Sequence, residues 1–340
     1  MPKCHQAYLA VSAIVCSIAL ASPSAHSEDF FAGKTVSLLV SSDPSGGFDT
    51  YTRLLAPYLQ KYLPGKPTMV VQNMPGGGGL RVAQYMYSVA EKDGTKIGNV
   101  RAANALDSML NIRGGDMDPT RFQWVGNMNG DTLVCEFSDT SGIRTVEDLR
   151  SRPTIVGSTG KGGDNYSMPN ALNYVLGTKM KIVLGYQGTG DRVLASQRGE
   201  IDGLCGINAS TLNTLEDLIK SGKLLTIVQG GRKPYVTIPD VPMAQSYART
   251  DRERQILDAV FSTAAVARTY ALPPGTQKDR VDTIREAFMK ATRDPEMIAQ
   301  ATKMKIEVDP MPGEDLQRYI ADMAKLPPEM KKEVITSLGE

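Results

Sequence analysis

Four glycine-rich segments have residue types and spacing that could do chemistry: SSDPSGGFD (41–49), NMPGGGG (73–79), STGKGGDN (158–165) and YQGTGD (186–191). Each follows a short apolar run and precedes a helical pattern. Glycine in such a place signals positive φ or the close approach of another group. A helix N-terminus adds free backbone N–H donors and the positive end of the helix dipole, so the chemistry on offer is the holding of an anion. Gly76, Gly77, Gly78 and Gly79 are read as ligand contacts, with a plain tight turn as the alternative. Ser45, Gly46 and Gly47 are read the same way. Phe48, flanked by turn formers, is expected to be a pocket wall. Asp49 fits either an N-cap or a contact to a ligand hydroxyl or amine. Arg101 and Asn104 follow another apolar run, and Arg101 could pair with a second carboxylate or lie solvated at the surface. Tyr186 could donate its hydroxyl to a ligand or fill core. Thr189 and Asp191 look like a capping pair, and Asn208 is a further candidate.

Other chemistries are absent by inspection. The third glycine of G-x-G-x-x-G is missing at 76–82 and at 160–165, and Gly163 stands where G-x-x-x-x-G-K-[ST] needs lysine. G-x-S-x-G does not occur. His5 and His26 are the only histidines, and both lie in or beside an N-terminal segment that reads as a signal peptide. Lys3 is its positive start, residues 7–21 its apolar stretch, and small residues cluster before Glu28. Cleavage is expected between Ala21 and Glu28. The exported remainder would then have no histidine for a Ser-His-Asp triad or a metal site. Of four cysteines, Cys135 and Cys205 remain, open to pairing as a disulfide or standing as two buried thiols. Lys plus Arg is 38 and Asp plus Glu 37, with no basic block, which argues against nucleic acid. The 16 methionines, like Trp124, read as packing, and no cofactor is expected.

The elements that must position these loops repeat as strand, loop, helix. Strands are expected at 35–40, 68–72, 96–100, 132–137, 154–157, 181–185, 201–206 and 224–228, with helices between. From Pro239 onward the pattern turns helical, at about 250–262, at 277–293 and after Pro312. These late helices lack strands and are expected on the first domain. The fold class is α/β with two domains, each a mainly parallel sheet flanked by helices. Domain one is expected at 28–130 and 235–340, domain two at 131–234. Ligands bind at the carboxyl ends of parallel strands, which places all four loops at one cleft.

The same segments, in order, resemble the substrate-binding proteins of tripartite tricarboxylate transporters, the Bug family of periplasmic receptors. The resemblance rests on SDPSGGFDTYTRLLAPYL, VVQNMPGGGGLRVAQYMYSVAEKDGTKIG, VGSTGKGG, GYQGTGDRVLASQRGEIDG, IPDVPMAQS and LPPGTQKDRVDTIREAFMKATRDPE. It implies a two-domain Venus-flytrap receptor in the periplasm, probing for a small carboxylate and handing it to membrane permease subunits, and acting as a monomer. By position it implies ligand contacts from Ser42–Asp49 and Met74–Gly79, which adds Ser42, Met74 and Pro75, and from Ser158, Thr159, Gly160, Tyr186 and Gly188. There are three departures. The glycine pair and Asp49 are closer than usual, Met74 stands where many members carry Arg, and Gln187 where many carry Lys. Phe48, Met74 and Tyr186 leave room for an apolar or aromatic portion of the ligand. The resemblance implies no enzyme. A sensor for a signalling protein, or an enzyme on the same scaffold, are the other classes.

Overall fold

The computed structural model describes residue 1 and residues 30–44 and 46–340. The segment expected to be a signal peptide, beyond residue 1, and Ser45 lie outside the described residues. The strands are β1 (Thr35–Val40), β2 (Thr68–Asn73), β3 (Lys96–Gly98), β4 (Gln123–Asn127), β5 (Leu133–Ser138), β6 (Thr154–Ser158), β7 (Met180–Leu184), β8 (Gly203–Asn208), β9 (Leu224–Gly230), β10 (Thr269–Leu272) and β11 (Met311–Pro312). The α-helices are α1 (Gly47–Tyr62), α2 (Leu80–Ser88), α3 (Ala102–Met109), α4 (Val146–Ser151), α5 (Asp164–Leu176), α6 (Thr189–Gln197), α7 (Glu216–Lys220), α8 (Asp251–Phe261), α9 (Lys278–Thr292), α10 (Pro295–Lys303), α11 (Gly313–Met323) and α12 (Pro328–Ser337).

They build two sheets, ordered β11-β4-β10-β3-β1-β2 and β7-β6-β8-β5-β9. Both are mixed, which corrects the expectation of mainly parallel sheets. β1 runs parallel to β2 and β3, and β6 parallel to β7 and β8. β10 enters antiparallel between β3 and β4, and β5 is antiparallel to both β8 and β9. The physical reason is connectivity. β5 and β10 are the strands on which the chain enters a sheet from the other one, so neither is reached by a βαβ return within its own sheet.

The parallel trios present their carboxyl ends toward each other, and that positions the site. β1 is buried along five of its six residues, and α1 covers it with Tyr51, Leu54, Leu55 and Leu59. Trp124 on β4 is fully buried, as expected of a core residue. Cys135 and Cys205 are opposite each other on β5 and β8 and form a disulfide.

The late helices divide between the sheets. α9 packs on α1 and β4, and α11 on β4. α8 and α12 instead pack on α5, where Ile256, Leu257, Val260, Phe261, Val334 and Leu338 join the core containing Cys135 and Cys205. A helix without a strand of its own carries no signal of which sheet it covers, so the expectation that the late helices would return to the first unit failed for α8, and α12, which was not expected as a helix, packs beside it. No helix of the described residues is long and apolar enough to cross a membrane.

Candidate functional site

Between the two sheets lies a cleft of about 50 Å³. The loop after β1 contributes Ser41, Ser42, Gly46, Gly47 and Phe48. Gly76, Gly78 and Gly79 come from the loop after β2, and Arg101 from the turn after β3. The other wall is Thr159, Asp164 and Asn165 after β6, Gln187, Gly188, Thr189 and Arg192 after β7, and Gly206, Ile207, Asn208 and Thr211 at the end of β8. Among the described residues no cluster of His, Cys, Asp or Glu could hold a metal ion.

The four-glycine run has φ of 135°, 59°, 68° and 100° at Gly76–Gly79, a path that favours glycine throughout. Its bareness also has a second cause, across the cleft. A Cβ at Gly78 would lie 2.2 Å from the amide nitrogen of Gly163, and one at Gly162 would lie 2.6 Å from the carbonyl oxygen of Gly77. Asn104 Nδ2 spans the same gap, donating to the Gly162 carbonyl at 2.7 Å. Asp43 repeats the theme, pressed so close to Gly188 that a Cβ there would lie 2.0 Å from its carboxylate. The two units meet backbone to backbone, with the cleft shut between them.

Inside, the charge is positive. Arg101 is 8% exposed and donates through Nε to Ser41 Oγ at 2.9 Å and through Nη2 to the Ser41 carbonyl at 2.7 Å. Burial pushes its pKa down to about 10, Arg268 adds to the fall, and Asp164 opposes it. Arg192 is 2% exposed and is held by bonds from Nε to the Gly188 carbonyl and from Nη2 to Thr189 Oγ1, each 3.2 Å. Its pKa also falls to about 10, first through burial and then through the charge of Arg101. Arg268 lies behind them, paired with Asp131 at 3.2 Å and donating to Asn208 Oδ1 at 3.0 Å. The Phe48 ring carries the Arg101 guanidinium at 4.2 Å and that of Arg268 at 4.7 Å, a cation–π stack. Burial raises the Asp164 pKa, against the pull of Arg101. Among the described residues neither Arg101 nor Arg192 has a carboxylate within ion-pair distance.

Of the candidates read from sequence, Ser42, Gly46, Gly47, Phe48, Gly76, Gly78, Gly79, Arg101, Thr159, Gly188 and Asn208 line the cleft. Ser45 is outside the described residues, and the remaining candidates fall outside the lining. Asp49 neither caps α1 nor reaches the cleft, because the helix starts two residues earlier at Gly47. It accepts from Arg53 Nε and Asn73 Nδ2, both at 2.8 Å. Met74 packs on the core under the first sheet, and the Pro75 carbonyl accepts from Arg81. Gly77 and Gly160 are taken up by the contact between the units, as is Asn104. Ser158 turns to Asn165 at 2.7 Å, and the Tyr186 ring lies over Gly157.

Sequence reading missed Arg192, Asp164, Asn165 and Arg268. Arg192 left one legible trace: it is a cation in the opening turns of a helix, where the dipole disfavours positive charge. The rest depend on which residues face each other across the cleft.

Comparison with known proteins agrees with this architecture. Residues 52–339 match the model of the tripartite tricarboxylate transporter family receptor. The UPF0065 protein in the gbd 5' region of Cupriavidus necator is 22% identical over 97% of this chain and 95% of its own length. The periplasmic binding protein BugD superposes with a TM-score of 0.73 at 20% identity, over 89% of this chain and 97% of that one. MatC from Rhodopseudomonas palustris, with bound malate, gives 0.65 at 19% identity, over 90% and 98%.

Proposed function

Because this chain belongs to the tripartite tricarboxylate transporter receptor family, we propose that it captures a small carboxylate outside the cytoplasmic membrane and delivers it to a membrane permease. One observation carries the reading: two buried guanidiniums, Arg101 and Arg192, line a glycine-walled cleft without carboxylate partners. A buried unpaired cation is costly, and an entering anion removes that cost. The donors of the β1 and β2 loops and Arg101 receive the ligand on the first unit, and the loops after β6 and β7 meet it on closing. The malate seen in a fold neighbour is in keeping with this chemistry. Delivery requires that the ligand favour the closed form energetically, since a ligand indifferent to the two states passes no signal.

The test is thermal shift of refolded, ligand-stripped protein against mono-, di- and tricarboxylates. One or a few should raise the melting temperature progressively with concentration. If none does, while a neutral or cationic compound does, the carboxylate reading fails.

A further inference from the structure

The carboxylate reading leaves one side chain with more charge than it needs. Arg192 belongs to α6 and, among the described residues, bonds only to the start of its own helix, Gly188 and Thr189. Its Nη1 is buried and has no hydrogen-bond partner. A guanidinium placed there works against the helix dipole and loses its hydration. Bracing the Gly188–Thr189 turn uses two of its nitrogens and would not require the third to be left empty beside a cleft.

The charged groups that face it are few. Arg101, from the opposite unit, acts on it more strongly than Asp43 does. Asp43 is the acidic group facing it: Arg192 and Arg101 both favour its charge, against burial and Asp191, but it makes no ion pair with either guanidinium and leaves Arg192 Nη1 without a hydrogen bond. The cleft therefore offers two guanidiniums, one from each unit; Asp164 offsets part of the charge of Arg101 but does not act on Arg192, and a ligand with one carboxylate answers only one of the two.

Resting on the receptor reading of this cleft, we infer that Arg192 is a specificity-determining residue that requires a second anionic group on the ligand. The first carboxylate lies against Arg101 and the glycine loop, and the second reaches Arg192 Nη1 as the units close. The ligand is a short dianion, because a closed cleft of about 50 Å³ has room for only a few water-sized groups. Charge on the far end of the ligand is then read by the second unit and not by the first.

The experiment is calorimetric titration of the purified protein with malonate, succinate and glutarate, with the monoamide of each, and with butyrate. A monoamide keeps the shape of its parent and lacks one charge. At least one dianion should bind about 30-fold or more tighter than its own monoamide, since an unpaired buried charge is left in the monoamide complex. Arg192→Gln should narrow that gap to about threefold or less by weakening the dianion, with the monoamide affinity kept. Monoamides binding as tightly as their parents to the unaltered protein would overturn the inference, and that comparison needs no variant to fold. Persistence of the gap in Arg192→Gln would overturn it too. Binding of butyrate with no binding of any dianion would sink the inference and leave the receptor standing. Silence from every acid would sink both.

Discussion

Glu136 illustrates how a single residue can set the pH behaviour of the whole. It is fully buried on β5, and burial raises its carboxyl pKa to about 7. Thr226, paired opposite on β9, draws it down slightly but makes no hydrogen bond of ordinary geometry. The folded protein therefore holds this proton more tightly than the unfolded chain, whose glutamate titrates near 4.5. Between those two values the folded state binds more protons than the unfolded state, so stability falls as pH rises from about 4.5 to about 7 and levels off above. Glu136→Gln should flatten this slope and gain up to about 3 kcal/mol above pH 7 relative to the parent. Urea melts at pH 5 and pH 8 check it, and an unchanged slope would contradict it. Asp131 is the converse case. Buried with Arg268 and held by Ser210, it stands where the chain crosses between sheets. Asp131→Ala would strand the Arg268 charge in the interior, at a cost of about 3 kcal/mol or more, measurable by the same melts. Phe48 and Arg101 were legible as site residues because turn formers and a preceding apolar run surround them in sequence. Arg192 and Asp164 were not, since what makes them matter is the facing unit.

At the scale of elements, runs such as TVSLLV and TIVG announce strands through β-branched content, and the structure has strands there. β4 and β10 were not seen. QWVGN carries a glycine with φ near 159° and TYAL is four residues before a proline pair, so neither looks like a strand until its partner is known. Helices α10 and α12 likewise lacked an expectation, being short and mostly polar on one side. Pairing direction is the deeper gap, because alternation of side chains is the same in parallel and antiparallel strands. The disulfide is the clearest element-scale consequence. It ties β5 to β8 across 70 residues of sequence, inside the core that α8 and α12 close. Constraining a loop of that length should contribute about 4 kcal/mol through the unfolded state. Reduction of the denatured chain, followed by refolding with the thiols blocked by a small reagent, should lower the urea midpoint accordingly. Equal midpoints with and without the bond would show that the buried cysteines contribute by packing alone.

The whole molecule depends on two backbones coming into contact. The glycine run at 76–79 was expected to be bare for an anion's sake. The structure adds that Gly77 and Gly78 face Gly162 and Gly163, so the run that borders the cleft through Gly76, Gly78 and Gly79 also lets the units shut. This contact offers a way to separate closure from binding chemistry. Gly162 does not have positive φ, and the close neighbours of a Cβ there, Gly77 O at 2.6 Å and Asn104 Nδ2 at 2.9 Å, both belong to the opposite unit. Gly162→Ala should therefore cost little in the open form and oppose the closed one. Affinity falls by the fraction of molecules no longer able to close, and a closed form disfavoured by about 1.4 kcal/mol loses about tenfold. Gly78→Ala is a poorer probe, since φ of 68° strains the loop even when the units are apart. The expected result for Gly162→Ala is an unchanged melting temperature without ligand, a smaller shift with saturating ligand, and a more extended particle by small-angle scattering. A lower melting temperature without ligand would mean that the unliganded protein already rests on this contact, and that its ligand need only enter a cleft that closes on its own.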